Sequence, residues 1–209
     1  MIALSRAERL ALAGAAILIA LALAASLAPW LEYRRELLAA QPWRAVTGHL
    51  VHLSWLHAAV NATAWLVLAR LFAHELGARW QLALVLLAAL GISGLLACGY
   101  PQIGWYRGFS GVLHALYFAG AIQATAAAWR AGRLWRGLGL PAALLALGGL
   151  KVALELPADG MAPYSAWLGA PVVPQAHLLG ALCGTALGLM RSALAPAQPR
   201  GEGEQRERE

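Results

Sequence analysis

The sequence predicts an all-α membrane protein in which six helices cross the bilayer. Of its 209 residues, 60% are hydrophobic and 12% are charged, whereas a soluble domain is about 45–50% apolar and about 25% charged. A spanning helix needs about 20 mostly apolar residues, and the chain contains six apolar segments of about that length. An ordinary water-soluble globule is therefore excluded. A disulfide scaffold is excluded too, because the chain has two cysteines and both lie in apolar runs.

The six apolar segments follow one another with short connections. The first, at 10–29, is preceded by Arg6 and Arg9 and could be taken for a secretory signal. Its apolar stretch exceeds the usual 7–15 residues of a signal core, so we expect a retained helix. The others lie at 55–73, 80–98, 108–129, 137–156 and 174–194. They predict a single transmembrane domain over 1–194, followed by a charged, disordered cytoplasmic tail at 195–209.

The distribution of arginine predicts the orientation of the chain. With six spans, the two termini and the second and fourth loops share one side, which carries Arg6, Arg9, Arg70, Arg79, Arg130, Arg133, Arg136, Arg191, Arg200, Arg206 and Arg208. The opposite side carries Arg34, Arg35, Arg44 and Arg107. By the positive-inside rule both termini are cytoplasmic, which predicts a multi-pass protein of the cell inner membrane. The net charge of +6 is explained by the excess of arginine on the predicted cytoplasmic side, and it does not indicate binding to nucleic acid.

Polar side chains gather at the outer ends of three predicted helices. His57 and Asn61 begin the second helix, Ser110 and His114 the fourth, and His177 the sixth. Since every even-numbered helix enters from outside, all five residues fall at a similar depth. Polar groups inside a membrane are costly and mark functional sites by default, so this layer is the candidate active site.

The residue types in this layer predict nucleophilic chemistry. A serine hydroxyl is a weak nucleophile unless a base lies beside it, and histidine is the usual base at neutral pH. We do not expect Asp159 or Glu155 to orient a histidine on the second or sixth helix. A Ser–His dyad therefore fits better than a triad. Glu155 is instead expected to pair with Lys151, four residues earlier on the fifth helix.

The start of the fourth helix predicts an oxyanion-binding site. Gly108 lies where this helix begins, so the amide of Ser110 is among the first N–H groups without an intrahelical partner. The helix dipole at that end favours negative charge. His57 and Asn61 could add side-chain donors, and losing one such donor typically costs 10²–10³ in rate.

Small residues recur every four positions on two of the helices. Such stripes let helix backbones approach closely, so we expect the fourth and sixth helices to pack together and bring His177 toward Ser110. The stripes are Gly111, Ala115 and Ala119 on the fourth helix, and Gly180, Gly184 and Gly188 on the sixth.

Three motifs carry a resemblance to a known family. They are HAAVN with His57 and Asn61, GFSG at 108–111, and HLLGALCG beginning at His177. The approach at 43–61, which includes His52, fits the same pattern. In this order, on the second, fourth and sixth helices, they resemble the rhomboid family of intramembrane serine proteases over residues 43–194. The implied fold is a six-transmembrane-helix rhomboid-like bundle.

The resemblance implies a role for each motif. Ser110 would be the nucleophile and His177 the general base. His57, Asn61 and the Ser110 amide, which follows Gly108, would bind the oxyanion. The implied partners are the lipid bilayer and transmembrane protein substrates that unwind near their outer ends, and the implied chemistry needs no metal or cofactor.

One position departs from the commonest rhomboid pattern. Many rhomboids carry tyrosine four residues after the serine, whereas this chain has His114 in SGVLH. That pattern and the compact size resemble the rhombosortase branch, which is associated with substrates ending in Gly-Gly, a transmembrane helix and a basic tail. His114 could support the catalytic histidine or simply pack.

Two other function classes remain open from the sequence. One is a catalytically inactive rhomboid-like protein that binds client transmembrane helices. The other is a metal or haem protein using His49, His52, His57 and His114, although their spacing lacks a ligand signature. The substrate, the oligomeric state and the fate of an acyl-enzyme, toward water or an amine, also stay open.

The remaining features are expected to be structural. His52 would brace the first outer loop by hydrogen bonds, and His49 and His74 would lie at the membrane interface. The last outer loop, at 157–173, is the expected lid.

Overall fold

The described residues form six long helices, with short helices and two short strands between them. The structure, a computed structural model, describes residues 4–131, 139–156, 165–168 and 171–194. In chain order the helices are α1 (Arg6–Leu23), α2 (Ala28–Leu31), α3 (Arg44–Thr47), α4 (Trp55–Leu71), α5 (Ala78–Gly99), α6 (Ser110–Arg130), α7 (Gly139–Glu155), α8 (Ser165–Leu168) and α9 (Pro174–Leu194). The strands are β1 (Tyr33–Arg34) and β2 (Trp105–Tyr106).

Each of the six predicted apolar segments overlaps one long helix among the described residues, although three of these helices extend beyond the predicted bounds. The predicted tail at 195–209 lies outside the described residues, as do Asp159 and most of the predicted lid.

Local sequence explains where several helices begin. Ser5 accepts from the backbone of Glu8 at the start of α1, and the Glu8 carboxylate accepts from the backbone of Ser5, which forms a capping box. Ser54 caps α4 by accepting from the His57 amide at 3.1 Å. Pro174 is the first residue of α9, a position where its missing N–H costs nothing.

The helices differ in how well they suit a full membrane crossing. Among the described residues, α5, α6 and α9 are long and apolar enough to span by themselves. Helix α1 qualifies only together with 25–31, against which it bends by 85°. Helices α4 and α7 have 17 residues each, or about 26 Å of rise against a hydrocarbon core of about 30 Å. The chain is a helical membrane protein, and its crossing six times stays a prediction.

The most extensive contact between described helices joins α6 and α9. A Cβ on Gly180 would overlap the carbonyl of Gly111, and one on Gly184 would overlap the carbonyl of Ala115. Only glycine allows backbones to approach so closely at these two positions. The predicted packing of these two small-residue stripes is confirmed, and we call this contact the α6–α9 seam.

The other helices pack around the seam. Helix α5 contacts both α6 and α9, α7 lies mainly against α6, and α1 lies mainly against α4. Near the start of α1, Glu8 pairs with Arg70 of α4 at 2.9 Å. Helix α4 also contacts α6, so four of the other long helices, α4, α5, α7 and α9, lie against α6.

The first outer loop is fastened to the segment that precedes α6. Strands β1 and β2 pair antiparallel, with Tyr33 opposite Tyr106. The buried carboxylate of Glu32 bonds to Arg107 at 2.7 Å and to Arg34 at 2.6 Å. This loop therefore lies at the end of the bundle where α6 begins, and it fixes the backbone just before Ser110.

Candidate active site

Ser110 and His177 meet at the end of the α6–α9 seam where both helices begin. Ser110 is the first residue of α6, and His177 lies in the first turn of α9. Their side chains are joined by a hydrogen bond of 2.8 Å between Ser110 Oγ and His177 Nε2. This is the nucleophile–base distance that serine chemistry requires. The seam produces it, because both residues stand at matching ends of closely packed helices.

Glu155 lies on the other side of the His177 ring. One carboxylate oxygen, Oε2, is 2.7 Å from His177 Nδ1. The other oxygen, Oε1, is 2.7 Å from Lys151 Nζ. The predicted Lys151–Glu155 pair is confirmed. The expectation that Glu155 would not be placed to orient a histidine is wrong, because the end of α7 comes beside the start of α9.

His114 covers one face of His177. The two rings stack with centroids 4.3 Å apart and planes 17° apart. His114 Nδ1 is 2.7 Å from the Ser110 carbonyl oxygen, one turn earlier on α6, and its Nε2 is 3.1 Å from Lys151 Nζ. His114 therefore contacts His177 directly as it packs in the site, and a supporting role for His114 stays a prediction.

One arrangement of protons satisfies all of these bonds. The lysine ammonium only donates, so His114 Nε2 accepts from Lys151 and His114 Nδ1–H donates to the Ser110 carbonyl. The Glu155 carboxylate only accepts, so His177 Nδ1–H donates to it. His177 Nε2 is then left to accept from the Ser110 hydroxyl. This tautomer of His177 is the one that a general base for Ser110 needs.

The predicted oxyanion donors lie on the opposite side of Ser110. His57 and Asn61 are buried on α4 and line one cavity together with Ser110 and His177. Gly108 has φ of 138°, a conformation that side-chain-bearing residues rarely adopt. A Cβ at Gly108 would also come within 3.0 Å of the His57 ring. The glycine therefore lets the chain turn into α6 directly beside His57.

His52 fixes this side of the site. Its Nε2 is 2.9 Å from Asn61 Nδ2 and accepts from the Phe109 amide at 3.4 Å. The predicted bracing role of His52 is confirmed. Burial lowers the pKa of His52 from 6.5 to about 3, with a further contribution from the neighbouring His57 ring. A neutral ring is what these bonds require, because its Nε2 accepts.

His49 differs from the expectation. It is fully buried, and its Nε2 lies 3.1 Å from both the Ala89 carbonyl and the Ser93 hydroxyl of α5. Burial lowers its pKa from 6.5 to about 4. The prediction of an interfacial His49 is wrong because the first outer loop folds inward onto α5, whereas His74 is exposed.

The site opens into an apolar cavity of about 460 Å³. The cavity lies between α4 and α7, with α6 behind it. Its polar end is formed by the residues described above, and its remaining lining is mostly aliphatic: Val60, Ala64, Val67, Leu68, Leu113, Leu147 and Val172. We call this space the α4–α7 cleft.

The histidines do not assemble as the metal alternative expects. Among the described residues, the group close enough to hold an ion comprises His114, Glu155 and His177, with ligand atoms within 4.8 Å of one another. It contains neither His49 nor His52. The two rings of this group are stacked nearly parallel, so their nitrogen lone pairs do not converge on one point, and all four ring nitrogens already have partners.

Comparison with known families decides the wider relationship. The Rhomboid domain matches residues 39–194, which is well over half of the chain. This chain belongs to the rhomboid family. The match contains all three motif regions and every residue of the candidate site. A comparison with curated proteins found no match.

Membership of the rhomboid family indicates a general class of activity. Rhomboid domains are generally those of intramembrane serine proteases, which act on transmembrane substrates within a bilayer. This rhomboid protein is accordingly a multi-pass membrane protein, in agreement with its apolar helices.

Proposed function

We propose that this rhomboid protein is an active intramembrane serine endopeptidase with Ser110 as nucleophile and His177 as general base. The observation that carries the proposal is the 2.8 Å bond between Ser110 Oγ and His177 Nε2 at the head of the α4–α7 cleft. Inactive relatives are expected to lack one of these two side chains, and this chain has both.

The proposed reaction has two stages. Ser110 Oγ attacks the scissile carbonyl carbon while its proton passes to His177 Nε2, which gives a tetrahedral oxyanion. The C–N bond then breaks, and His177 returns the proton to the departing amine. In the second stage water attacks the ester carbonyl and gives up a proton to His177, which protonates Ser110 Oγ as the ester bond breaks.

The oxyanion is assigned to the side of Ser110 that faces α4. The Ser110 amide at the start of α6, the second N–H of the Asn61 amide and the His57 ring are the proposed donors. Asn61 has this N–H to spare because His52 accepts only one. A preorganised set of donors is usually the largest single contribution to such catalysis.

The substrate is proposed to be a transmembrane protein that enters the α4–α7 cleft. The aliphatic lining suits a segment arriving from lipid, and the reactive groups stand at the cleft's outer end. With both termini cytoplasmic and the protein in the inner membrane, as the arginine distribution predicts, cleavage falls near the outer face. His114 in SGVLH further supports rhombosortase-like substrates that end in Gly-Gly, a transmembrane helix and a basic tail.

The test is co-expression with a membrane reporter that ends in Gly-Gly, a transmembrane helix and an Arg-rich tail. We expect cleavage by the wild type and none by Ser110→Ala or His177→Ala, with all proteins present in the membrane at equal amounts. A second reporter with an ordinary rhomboid substrate segment separates the branch from the chemistry. Cleavage of only the second reporter rejects the Gly-Gly assignment. Unchanged cleavage by either variant rejects the mechanism, and a full biological effect of Ser110→Ala favours the client-binding alternative.

A further inference from the structure

We propose that Glu155 is a positioning residue for His177, so that the reactive pair works as a Ser–His–Glu relay held by Lys151 and His114. This inference rests on the proposed protease function. It assigns to the end of α7 the task of fixing the protonation and orientation of the base.

Burial is the first argument for this role. The Glu155 side chain is 5% exposed and the His177 side chain 3%. A carboxylate taken out of water is strongly unfavourable unless charged or hydrogen-bonding partners replace the lost hydration. The buried carboxylate of Glu155 therefore needs donors that replace its lost hydration, and each of its two oxygens has one.

The second argument is how those two oxygens are used. Oε2 accepts from His177 Nδ1, and Oε1 accepts from the Lys151 ammonium, both at 2.7 Å. Lys151 is one helical turn before Glu155, so the pair is held within α7 and does not depend on the neighbouring helices. Lys151 thereby compensates the negative charge of the carboxylate and holds its second oxygen in place.

The third argument is that the His177 ring is constrained from three directions. Glu155 holds one edge, Ser110 lies at Nε2, and His114 lies against one face at 4.3 Å. Lys151 also donates to His114, so the same ammonium orients both the carboxylate and the stacked ring. A rotation of His177 that would misplace Nε2 breaks at least one of these contacts.

The chemistry explains what the carboxylate contributes. When the Ser110 proton moves to Nε2, His177 becomes a cation with protons on both nitrogens. Glu155 then forms a charge-assisted bond to Nδ1–H and lowers the energy of that cation, while it remains ionised itself. Without it, the Nδ1–H loses the acceptor that selects the tautomer with a free Nε2.

The experiment measures the reactivity of Ser110 directly, without knowledge of the substrate. The full chain is purified in detergent micelles and treated with a fluorophosphonate probe. Ser110 Oγ attacks phosphorus, fluoride leaves, and the hydroxyl proton passes to His177. We compare the wild type with Ser110→Ala, His177→Ala, Glu155→Gln and Glu155→Asp. The matched control is Glu36→Gln, whose carboxylate is 60% exposed in the first outer loop.

We expect Glu155→Gln to slow labelling by 10²–10⁴, as when the acid of a serine triad is replaced by its amide. Glu155→Asp restores part of the rate because it keeps the charge. Glu36→Gln labels like the wild type. With the transmembrane reporter, Glu155→Gln lowers kcat and leaves KM nearly unchanged, because Glu155 acts on His177 and does not line the cleft. The thermal midpoint of Glu155→Gln stays close to that of the wild type.

Other outcomes overturn the inference in distinguishable ways. If Glu155→Gln is labelled at the wild-type rate while His177→Ala is not, the protease proposal stands and the relay is rejected. If both Glu155 variants lose labelling together with a large fall in thermal midpoint, Glu155 is structural only and the relay is rejected. If the wild type is not labelled, or His177→Ala is labelled equally fast, the protease proposal itself fails.

Discussion

The two sides of Ser110 are built in opposite ways. In the α6–α9 seam, glycines bring one backbone against another, and an added Cβ at Gly180 or Gly184 has no room. In the α4–α7 cleft, side chains such as Val60 and Leu147 face open space and are 37% and 62% exposed. The reactive pair is thus held on the closed side and reached from the open side.

This difference separates the placement of the proposed catalytic groups, Ser110 and His177, from access to them. Closely packed backbones cannot slide without overlap, so they keep the Ser110–His177 distance constant. A cleft lined by aliphatic side chains can accept chemically different segments at little cost. Substitutions in the seam should therefore affect every reaction of Ser110, whereas substitutions in the cleft should affect only large substrates.

The largest expected effect comes from Gly180→Leu. Its side chain would overlap the Gly111 backbone and force α6 and α9 apart, at a cost above about 3 kcal/mol. We expect loss of probe labelling, loss of reporter cleavage and a strongly reduced thermal midpoint. The matched control is Gly149→Leu on α7, where an added Cβ would have no atom from another part of the molecule within 4 Å. Normal labelling of Gly180→Leu would show that the seam does not set the site.

The next effect concerns the oxyanion donors at the border between seam and cleft. Asn61→Ala and His57→Ala should each slow both labelling and cleavage, by about 10² when one donor is lost. Asn61→Ala should also lower the thermal midpoint because it removes the bond to His52. The exposed His74→Ala serves as control. Full activity of both site variants would show that the α4 side chains do not stabilise the oxyanion.

A third prediction tests whether the first outer loop is packed as tightly as the α6–α9 seam, using the two buried histidines that the loop carries. The buried rings of His52 and His49 have pKa values lowered to about 3 and about 4, whereas the unfolded chain takes up protons near 6.5. Stability is therefore complete above pH 6.5 and decreases as the pH falls toward 4. At pH 5, each histidine should cost about 2 kcal/mol.

The measurement is the unfolding midpoint in mixed micelles at pH 7.5 and pH 5.0. Ordinary carboxyl groups titrate mostly below this range, so a fall in the midpoint reports chiefly on histidine. An equal midpoint at both pH values would contradict the buried, neutral state of the two rings.

The smallest expected effect comes from filling the cleft. Val60→Trp should reduce cleavage of a transmembrane reporter about tenfold, or about 1.4 kcal/mol, and leave labelling by the small probe unchanged. Leu86→Trp on the exposed face of α5 is the control for added bulk. Equal loss of labelling and cleavage in Val60→Trp would mean that a change in the cleft also disturbs the placement of Ser110 and His177 by the seam.

The sequence was informative where a rule is local or periodic. Apolar segments placed the six long helices, and glycines at every fourth position placed the seam that joins Ser110 to His177. The polar layer at the helix ends could also be predicted, because the position of a residue within its apolar segment gives its depth in the membrane. No knowledge of the helix packing is needed for that step.

The parts that sequence reasoning missed depend on helix rotation and loop path. Glu155 reaches His177 because α7 presents that face to α9, and no period within one helix specifies its rotation against another. A signal was nevertheless present, since Lys151 and Glu155 are charges within an apolar segment and such charges are functional by default. His49 was misplaced because its burial arises from the folding of a whole loop onto α5.

The long separation between Ser110 and His177, 67 positions along the chain, has a consequence for biosynthesis. The ribosome delivers the serine well before the histidine, and Glu155 emerges between them. A nascent chain therefore carries the hydroxyl without its base until α9 has entered the membrane. Under the proposed mechanism, the centre at Ser110 becomes reactive only once α9 is in place, so an incompletely synthesised chain would not yet attack other polypeptides.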